Sequence, residues 1–432
     1  MRPVDVVVVG AGVMGVAIAA ELKRRDRSTH VVVLDKEPVA GAHASGRNSG
    51  VLHAGFYYTA DSLKARFTRT GNAAMRAWCE NHGLRINRCG KLVVARDARD
   101  HAGLDELLRR ARVNGVELEP VTADQAREIE PRARTSERAL WSPTTATVDA
   151  TEVMTSLVTG AARDGVEFRY GVACRSLGPG RVRTMHGDFE AGFVINAAGL
   201  YADRLAKTAG FAAGYRILPF KGLYLYSSEP AGAFRTNVYP VPDLGYPFLG
   251  VHVTVSVDGH AKIGPTAIPC LWREQYDWSH GFRLGELASI AADMTRLALG
   301  AGFDFRSLAL EEMRKYHRPT LVARAAALAD GIRVEDYTKW GRPGIRAQLV
   351  DVRKRTLVQD FVLESDERSL HVLNAVSPGF TCALPFAAHV CDEVERVQGR
   401  NRSSPRDGAT LRLHVRDSRA SGGVHPLAAA LA

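Results

Sequence analysis

The sequence predicts an α/β fold with α+β inserts, in which parallel-sheet and antiparallel-sheet segments alternate along the chain. Val4–Val9 is a continuous, mostly β-branched run, typical of a strand buried on both faces of a parallel sheet. A Gly-rich turn, a helix-compatible segment and a second β-branched run, Val31–Leu34, complete a βαβ unit. Between residues 215 and 265, short aromatic segments broken by Pro and Gly predict an antiparallel sheet instead.

Apolar periodicity predicts the remaining elements in chain order. Helices are predicted at residues 16–25, 63–82, 104–114, 152–164, 284–300, 321–328 and from Gly379 through 397, and further strands at 91–95, 166–171, 193–196 and 369–374. Because parallel-sheet segments occur at the start, middle and end, we expect two interleaved domains. The first comprises residues 1–88, 150–214 and 335–397, and the second comprises 89–149 and 215–334. The tail, 398–432, is rich in Arg, Ser, Gly and Ala and is predicted to be disordered.

The formal charge of +10 on 432 residues points to an anionic partner. Basic residues are interleaved with acidic ones along most of the chain, and the only dense basic run lies in the tail, at residues 396–419. The sequence has no zinc-ligand spacing and no RNA-binding signature, so neither a metal site nor nucleic-acid binding is predicted. An anionic small molecule or a membrane surface fits the charge better.

Cysteine usage and apolar runs indicate the compartment. The six cysteines form no C-x-x-C pair and no dense pattern, which is typical of reduced thiols inside a cell. No secretory leader precedes the first strand, and no apolar stretch is long enough to cross a bilayer. We therefore expect a cytoplasmic protein and leave open a peripheral contact with the inner face of the membrane.

The first βαβ unit carries a dinucleotide-binding motif. Gly10, Gly12 and Gly15 form G-x-G-x-x-G between the strand and the helix. Gly10 allows the tight turn, Gly12 lets the backbone approach a pyrophosphate, and Gly15 lets the helix pack close to the strand. Asp35 ends the second strand, where its carboxylate can accept hydrogen bonds from the adenosine ribose. The segment is predicted to be a Rossmann-like nucleotide-binding unit.

The segments that follow favour FAD over a nicotinamide cofactor. Residues 44–50 form a loop of small residues suited to close approach by a planar ring, and residues 195–203 form a second strand end of this kind. The predicted FAD contacts are Gly10, Gly12, Gly15, Asp35, Lys36, Ser45, Asn48, Ser49, Gly50, Ala198, Gly199, Ser377 and Pro378.

Several longer motifs resemble one family. The run Gly46-Arg-Asn-Ser-Gly-Val-Leu-His-Ala-Gly-Phe-Tyr-Tyr58 is similar to a signature of L-2-hydroxyglutarate oxidases and dehydrogenases, in the D-amino-acid oxidase-like flavoprotein superfamily. The resemblance continues, in family order, at residues 87–92, 219–224, 239–243, 247–252, 263–265, 344–348 and 374–378. It implies oxidation of a 2-hydroxy acid to the 2-oxo acid with FAD, and then electron transfer to oxygen or to a quinone.

This chain departs from the family pattern at five positions, which bear on the substrate. Family members usually carry His at the position of Arg47, Glu at Leu223, Arg at Val255 and Asn at Thr266, and Phe380 interrupts a run of small residues after Ser377-Pro378. Loss of one charge-assisted carboxylate contact costs about 1.5–3 kcal/mol. The reaction class is therefore better predicted than the identity of the acid.

Oxidation of an alcohol beside a carboxylate requires a proton acceptor and a carboxylate anchor. His53, in a Gly-flanked segment after the small-residue loop, is the first candidate base, and His252 is the second. Arg346 lies in a block similar to the superfamily's carboxylate-binding arginine, and its guanidinium can hold a carboxylate through two hydrogen bonds. Further candidates are Lys221 for a carboxylate or a water and Tyr57, Tyr58 and Tyr239 for the substrate pocket, whereas Lys91 and Trp340 are predicted to be structural.

Two other functions remain open from the sequence. The superfamily also oxidises C–N bonds, so the donor could be an amine or an amino acid. Alternatively, the chain could be a flavoprotein subunit without chemistry of its own, with the tail as its docking element.

Overall fold

The computed structural model describes residues 4–244, 248–301, 304–400 and 411–412. The helices in these ranges are α1 Val13–Arg25, α2 Leu63–Asn81, α3 His101–Asn114, α4 Ala123–Ile129, α5 Ala150–Arg163, α6 Ala202–Thr208, α7 Leu284–Gly300, α8 Phe305–Arg314, α9 Arg318–Ala326 and α10 Gly379–Arg400. The strands are β1 Val4–Val9, β2 Val31–Leu34, β3 Val51–Leu52, β4 Ile86–Asn87, β5 Lys91–Val94, β6 Glu119–Thr122, β7 Arg138–Ser142, β8 Ala146–Val148, β9 Glu167–Arg169, β10 Cys174–Gly178, β11 Arg181–Thr184, β12 Gly187–Asn196, β13 Tyr215–Gly222, β14 Leu225–Ser227, β15 Asn237–Pro240, β16 His252–Val255, β17 Ala261–Gly264, β18 Ile268–Pro269, β19 Tyr337–Trp340, β20 Gly344–Asp351, β21 Thr356–Leu357, β22 Leu363–Ser365, β23 Ser369–Val372 and β24 Leu411–Arg412. None of the helices in the described ranges is both long and apolar enough to span a bilayer.

A largely parallel sheet organises the N-terminal βαβ unit. Strand β1 pairs in parallel with β2 on one side and β12 on the other, and β23 continues the sheet beside β12. Val7 and Val32 face each other in register and are fully buried. Helices α1, α5 and α10 cover one face with a core that includes Ile18, Leu157 and Phe386. The predicted α/β fold is therefore confirmed.

A second layer of two sheets lies beyond this unit. The eight-stranded sheet has the order β19-β14-β17-β16-β15-β5-β7-β6 and is antiparallel except for the parallel pair β15–β5. The four-stranded sheet has the order β18-β13-β20-β21, with β13 and β20 antiparallel over their full lengths. Strands β5 and β15 both belong to the eight-stranded sheet, but β9 and β12 of the parallel sheet lie between them in the sequence. The chain therefore crosses between the sheets more than once. The division into two interleaved domains agrees with this crossing and remains a proposal.

The structure differs from the expected elements at several points. Strand β12 begins at Gly187 and forms a meander with β10 and β11, which were not predicted because their sequences are polar and lack a clear alternation. Helix α8 was also missed. Of the predicted disordered tail, residues 398–400 complete α10 and Leu411–Arg412 pair with β22. The rest of that tail lies outside the described residues.

Candidate active site

The carboxyl ends of β1, β2 and β12 open onto a cavity of about 1650 Å³. Small-molecule pockets usually measure about 300–1,000 Å³. The wall of this cavity includes both Asp35, at the end of β2, and Arg346, on β20. The cavity is therefore large enough to hold a dinucleotide together with a second, smaller ligand.

Close backbone packing builds the dinucleotide end. Gly10 has φ of +110°, and a Cβ there would lie 2.4 Å from the Ala197 carbonyl oxygen. A Cβ on Gly15 would lie 1.9 Å from the Gly10 carbonyl oxygen, so only glycine lets α1 approach the turn. At Gly12, by contrast, a Cβ would meet only the Ser45 Oγ, at 3.2 Å, and would otherwise project into open space. Gly12 is thus the position at which a ligand can approach the backbone.

The N-terminus of α1 is suited to an anion. Gly12 caps the helix without a side chain, and the first turn contains no acidic residue. The Val13 N–H donates to Ser45 Oγ at 2.9 Å, which fixes the loop of residues 44–50 against the helix. Helix N-termini attract phosphate through their N–H groups and partial positive charge. The cradle fits the pyrophosphate of FAD.

Asp35 lies where the adenosine ribose is expected. Its carboxylate accepts from the Ala11 N–H at 2.6 Å and from the Glu37 N–H at 2.8 Å, which fixes its orientation in the cavity wall. Burial raises the pKa of Asp35. Its neighbour Lys36 also lines the cavity, but its ammonium lies 2.6 Å from a Glu274 oxygen and 2.5 Å from a Glu37 oxygen.

Most of the other predicted cofactor contacts also line the cavity, namely Ser45, Asn48, Ser49, Ala198, Gly199, Ser377 and Pro378. Gly15 and Gly50 do not reach it. Gly50 instead packs against β8, because a Cβ there would lie 2.1 Å from the Val148 carbonyl oxygen. These two glycines allow close backbone packing around the cavity. The assignment of the individual FAD contacts remains a proposal.

His53 lines the cavity just after β3. Its backbone N–H donates to Thr381 Oγ1 at 3.2 Å, and its imidazole is buried. Its Nδ1 is buried without a hydrogen-bond partner in the described part of the chain, so a ligand could fill that role. Burial first, and then the charge of Lys91, lowers the pKa of His53 well below its ordinary value. The imidazole is therefore neutral near pH 7, as a general base must be.

His252 begins β16 and lies in the same wall. Its Nδ1 is 2.9 Å from the Gly250 carbonyl oxygen. A carbonyl only accepts, so in the neutral ring Nδ1 carries the proton and Nε2 is the acceptor. The ring stacks on Tyr239 with centroids 3.6 Å apart and planes inclined by 15°. Burial and the charge of Lys91 lower the pKa of His252 as well.

Two cations reach the cavity from different elements. Arg346 lies opposite Phe220 in the β13–β20 pair, and its guanidinium carbon is 5.0 Å from the centroid of the Phe248 ring. Lys64, in the first turn of α2, is buried with its Nζ 5.8 Å from the centroid of the Tyr58 ring. Burial, opposed by Asp360 and reinforced by Arg346, lowers the pKa of Lys64 to about 8. Lys64 is therefore still mostly protonated at neutral pH.

Lys64 was missed from the sequence, although a signal was present. It lies three residues before Phe67 and four before Thr68, which are both buried, so it occupies the buried face of α2. A lysine at such a position is rare without a specific partner. Tyr224, which also lines the cavity, belonged to a motif recognised by resemblance but received no role.

Of the remaining predicted substrate-site residues, the three tyrosines line the cavity and Lys221 does not. Tyr57, Tyr58 and Tyr239 all line the cavity, and the Tyr57 hydroxyl is buried without a hydrogen-bond partner among the described residues. Lys221 does not line the cavity, whereas its strand neighbours Phe220 and Gly222 do. Successive side chains alternate along a strand, and Cys270 and Asp277 are the groups that act on the Lys221 ammonium. The structure therefore does not bring Lys221 to His53 and Arg346.

The departures from the family pattern divide between the cavity and its surroundings. Arg47, Thr266 and Phe380 line the cavity. Val255 does not, since it is buried in the apolar core of the eight-stranded sheet. The sequence suggested that the missing arginine at this position removes a contact with the substrate carboxylate. The position of Val255 in the apolar core does not support that suggestion.

Arg47 and Thr266 are both held by the surrounding backbone. The guanidinium of Arg47 lies over the Tyr276 ring, 4.3 Å from its centroid, and its Nε donates to the Ala42 carbonyl at 2.7 Å. Thr266 Oγ1 accepts from the Leu223 N–H at 3.0 Å and donates to the Lys221 carbonyl at 2.8 Å. These contacts tie both side chains to neighbouring loops and strands.

Comparisons with known proteins agree with this geometry. The FAD dependent oxidoreductase family (DAO) matches residues 5–393. The L-2-hydroxyglutarate dehydrogenase of Escherichia coli (strain K12) is 33% identical over 424 residues, covering 94% of this chain and 96% of that protein. The mitochondrial L-2-hydroxyglutarate dehydrogenase of Homo sapiens is 32% identical over 415 residues, covering 91% and 89%.

Solved structures show the same fold at lower identity. The dithionite-reduced L-alpha-glycerophosphate oxidase of Mycoplasma pneumoniae with FAD bound has a TM-score of 0.71 and 20% identity, covering 91% of this chain and 95% of that one. Glycine oxidase from Geobacillus kaustophilus has a TM-score of 0.67 and 22% identity, covering 92% and 95%.

Proposed function

Because this chain belongs to the FAD-dependent oxidoreductase family, and within it to the L-2-hydroxyglutarate dehydrogenases, we propose that it oxidises L-2-hydroxyglutarate, or a closely related 2-hydroxy dicarboxylic acid, to the 2-oxo acid. When bound, FAD supplies the two-electron acceptor for the hydrogen that leaves C2 as hydride. The residues from Gly10 to Asp35 would hold its pyrophosphate and adenosine ribose.

The observation that carries this proposal is a pair of cations, the buried Lys64 and the half-buried Arg346, in one cavity with two neutral imidazoles. Lys64 and Arg346 line one cavity, and His53 and His252 lie in its wall. Cations buried in a low-dielectric site strongly favour an anionic ligand. A 2-hydroxy dicarboxylate presents two carboxylates and one hydroxyl, which correspond to the two cations and one base.

Each residue then has a defined task. Arg346 holds the carboxylate next to C2 through two hydrogen bonds, and Lys64 binds the distal carboxylate as a point charge. His53 accepts the proton of the C2 hydroxyl, because burial keeps its imidazole neutral. Tyr57, whose hydroxyl has no hydrogen-bond partner among the described residues, can donate to the substrate. Anchoring at both ends restricts the orientations of C2, which lowers the entropic cost of reaction.

A donor panel tests the function. Initial rates with a dye acceptor should show the highest kcat/KM for L-2-hydroxyglutarate, with L-lactate lower by about tenfold or more because it lacks the second carboxylate. Amino acids should give no turnover. Turnover with amino acids alone would instead identify an amino-acid oxidase. Tight FAD binding without turnover on any donor would identify a non-catalytic flavoprotein subunit.

An Arg346→Lys variant should raise the KM for L-2-hydroxyglutarate by about tenfold or more, with a smaller change in kcat, because lysine cannot form the paired hydrogen bonds of a guanidinium. Steady-state kinetics measure both constants. Arg368→Lys is the matched control, since Arg368 is exposed and does not line the cavity. Unchanged constants in Arg346→Lys would remove this residue from the binding site.

We also propose that the protein is cytoplasmic and contacts the membrane peripherally. We propose that the final electron acceptor is a quinone or oxygen. The described cysteines are all free thiols, which suits a reducing compartment. Between residues 278 and 284 the surface exposes Trp278, Phe282 and Leu284, at 90%, 51% and 71%, next to Arg283. Apolar rings beside a cation are typical of interfacial contact. Co-sedimentation with anionic vesicles measures it, and protein that stays in the supernatant would exclude this contact.

A further inference from the structure

Lys91 is a buried cation that the proposed reaction has not yet used. It lies on β5, in the middle of the eight-stranded sheet, and is fully buried. Its Nζ has no hydrogen-bond partner among the described residues. Isolated buried lysines are costly, so a lysine at this position calls for an explanation beyond packing. The sequence predicted only a structural role.

Aromatic rings form the surroundings of this ammonium. Its Nζ lies 4.3 Å from the ring centroid of Tyr239, 5.1 Å from that of Tyr57 and 5.6 Å from that of Phe56. Cation–π attraction stabilises a cation at such distances, most strongly where water is excluded. Tyr57 and Tyr239 line the cavity, whereas Lys91 does not. Lys91 therefore lies behind the aromatic wall of the substrate site.

The same ammonium acts on both candidate bases. Tyr239, whose ring contacts Lys91, stacks on the imidazole of His252. After burial itself, the charge of Lys91 is the largest influence that lowers the pKa of His252, and it has the same rank for His53.

Among the residues that the structure describes, the other groups that act on this cluster contribute no negative charge from a carboxylate. Cys89, on the same segment of chain as β5, acts on Lys91. Lys262 of β17 acts on His252, and Arg346 of β20 acts on His53. The hydroxyls of Tyr57 and Tyr239 also face the cluster, Tyr58 acts on Tyr57, and Tyr224 acts on Tyr239; burial raises the pKa of all four. Within the described part of the chain, no carboxylate therefore neutralises the Lys91 ammonium that acts on the imidazoles.

We propose that Lys91 is a positioning residue whose ammonium, held against the Tyr239 ring behind the cavity wall, keeps His53 and His252 neutral when the pH falls and an anionic substrate is present. The proposal rests on the proposed function, in which one of these imidazoles accepts the hydroxyl proton. Burial lowers the pKa of Lys91 to about 7, so the ammonium predominates below that pH. An ordinary histidine becomes protonated in the same range. A like charge disfavours that protonation, so the base remains active.

The test compares Lys91→Met with the parent by the pH dependence of kcat/KM for anaerobic flavin reduction. This profile reports the pKa of the base in the free enzyme. Loss of the cation should raise the pKa of the base, so the acid limb of the profile should move upward by about one pH unit or more. Lys91→Arg keeps the charge and should restore the parent profile. An unmoved acid limb, or an equal loss of rate at every pH, would overturn the proposal.

A second measurement is independent of activity and of any variant. In the FAD-loaded parent enzyme with ¹⁵N-labelled histidine, NMR should show both imidazoles still neutral at about pH 5.5, whereas an ordinary histidine titrates near 6.5. Titration of both rings near the ordinary value would overturn the proposal even if Lys91→Met fails to fold. If the parent oxidises no 2-hydroxy acid but the rings become protonated at higher pH in Lys91→Met than in the parent, the proposed function fails and the electrostatic role of Lys91 stands.

Discussion

A His53→Ala variant is expected to keep the spectrum of bound flavin and to slow anaerobic flavin reduction by L-2-hydroxyglutarate about a hundredfold or more. The imidazole lines the cavity, its Nδ1 has no hydrogen-bond partner among the described residues, and burial keeps it neutral. Alanine removes the proton acceptor, and the hydroxyl proton must then leave to a weaker base. Stopped-flow absorbance of the flavin measures the rate.

Two further variants make this result specific to His53. His186→Ala, in the turn between β11 and β12, changes an exposed histidine outside the cavity and should reduce at the parent rate. His252→Ala should slow reduction less than His53→Ala does. If His53→Ala reduces at the parent rate and His252→Ala does not, the base is His252, whose Nε2 is already the acceptor nitrogen of its neutral ring.

A Gly12→Val variant is expected to fold but to lose FAD, with affinity lower by about a hundredfold or more. A Cβ at Gly12 meets only Ser45 Oγ within 4 Å, so we expect the valine side chain to occupy the space that a pyrophosphate needs at the α1 N-terminus. Flavin absorbance after purification and reconstitution measures uptake. Circular dichroism measures whether the fold is retained.

Gly178→Ala is the matched control for Gly12→Val. Its Cβ would meet no atom within 4 Å, and its backbone does not have a positive φ. This variant should bind FAD with the parent affinity. A folded, fully yellow Gly12→Val protein would mean that the pyrophosphate does not lie against α1.

The cofactor half of the site could be predicted from the sequence because its determinants are local. Gly10, Gly12, Gly15 and Asp35 belong to one βαβ unit, whose geometry follows from the strand–turn–helix order. The structure places Gly10, Gly12 and Asp35 in the cavity wall and uses Gly15 to pack α1 against the turn. A short segment thus contains enough information to predict the turn and a dinucleotide as its ligand, whereas the choice of FAD depended on later segments.

The substrate half was predicted less completely because its residues come from distant strands. Lys64 meets the cavity from α2 and Arg346 from β20, and no local pattern brings these elements together. Lys221 was assigned to the site, but its side chain lies on the other face of β13. Because almost every residue of β13 is buried, its sequence shows no polar–apolar alternation from which the face could be read. Lys91 is fully buried by pairing of β5 with a strand much later in the chain.

Anaerobic titration of the FAD-loaded protein with L-2-hydroxyglutarate tests the central claim most directly. We predict that the flavin absorbance bleaches and that one 2-oxoglutarate forms for each FAD reduced, since hydride and proton leave the same alcohol. Flavin that stays oxidised in the presence of excess L-2-hydroxyglutarate, in protein that retains its cofactor, would contradict the claim that this cavity oxidises a 2-hydroxy dicarboxylate.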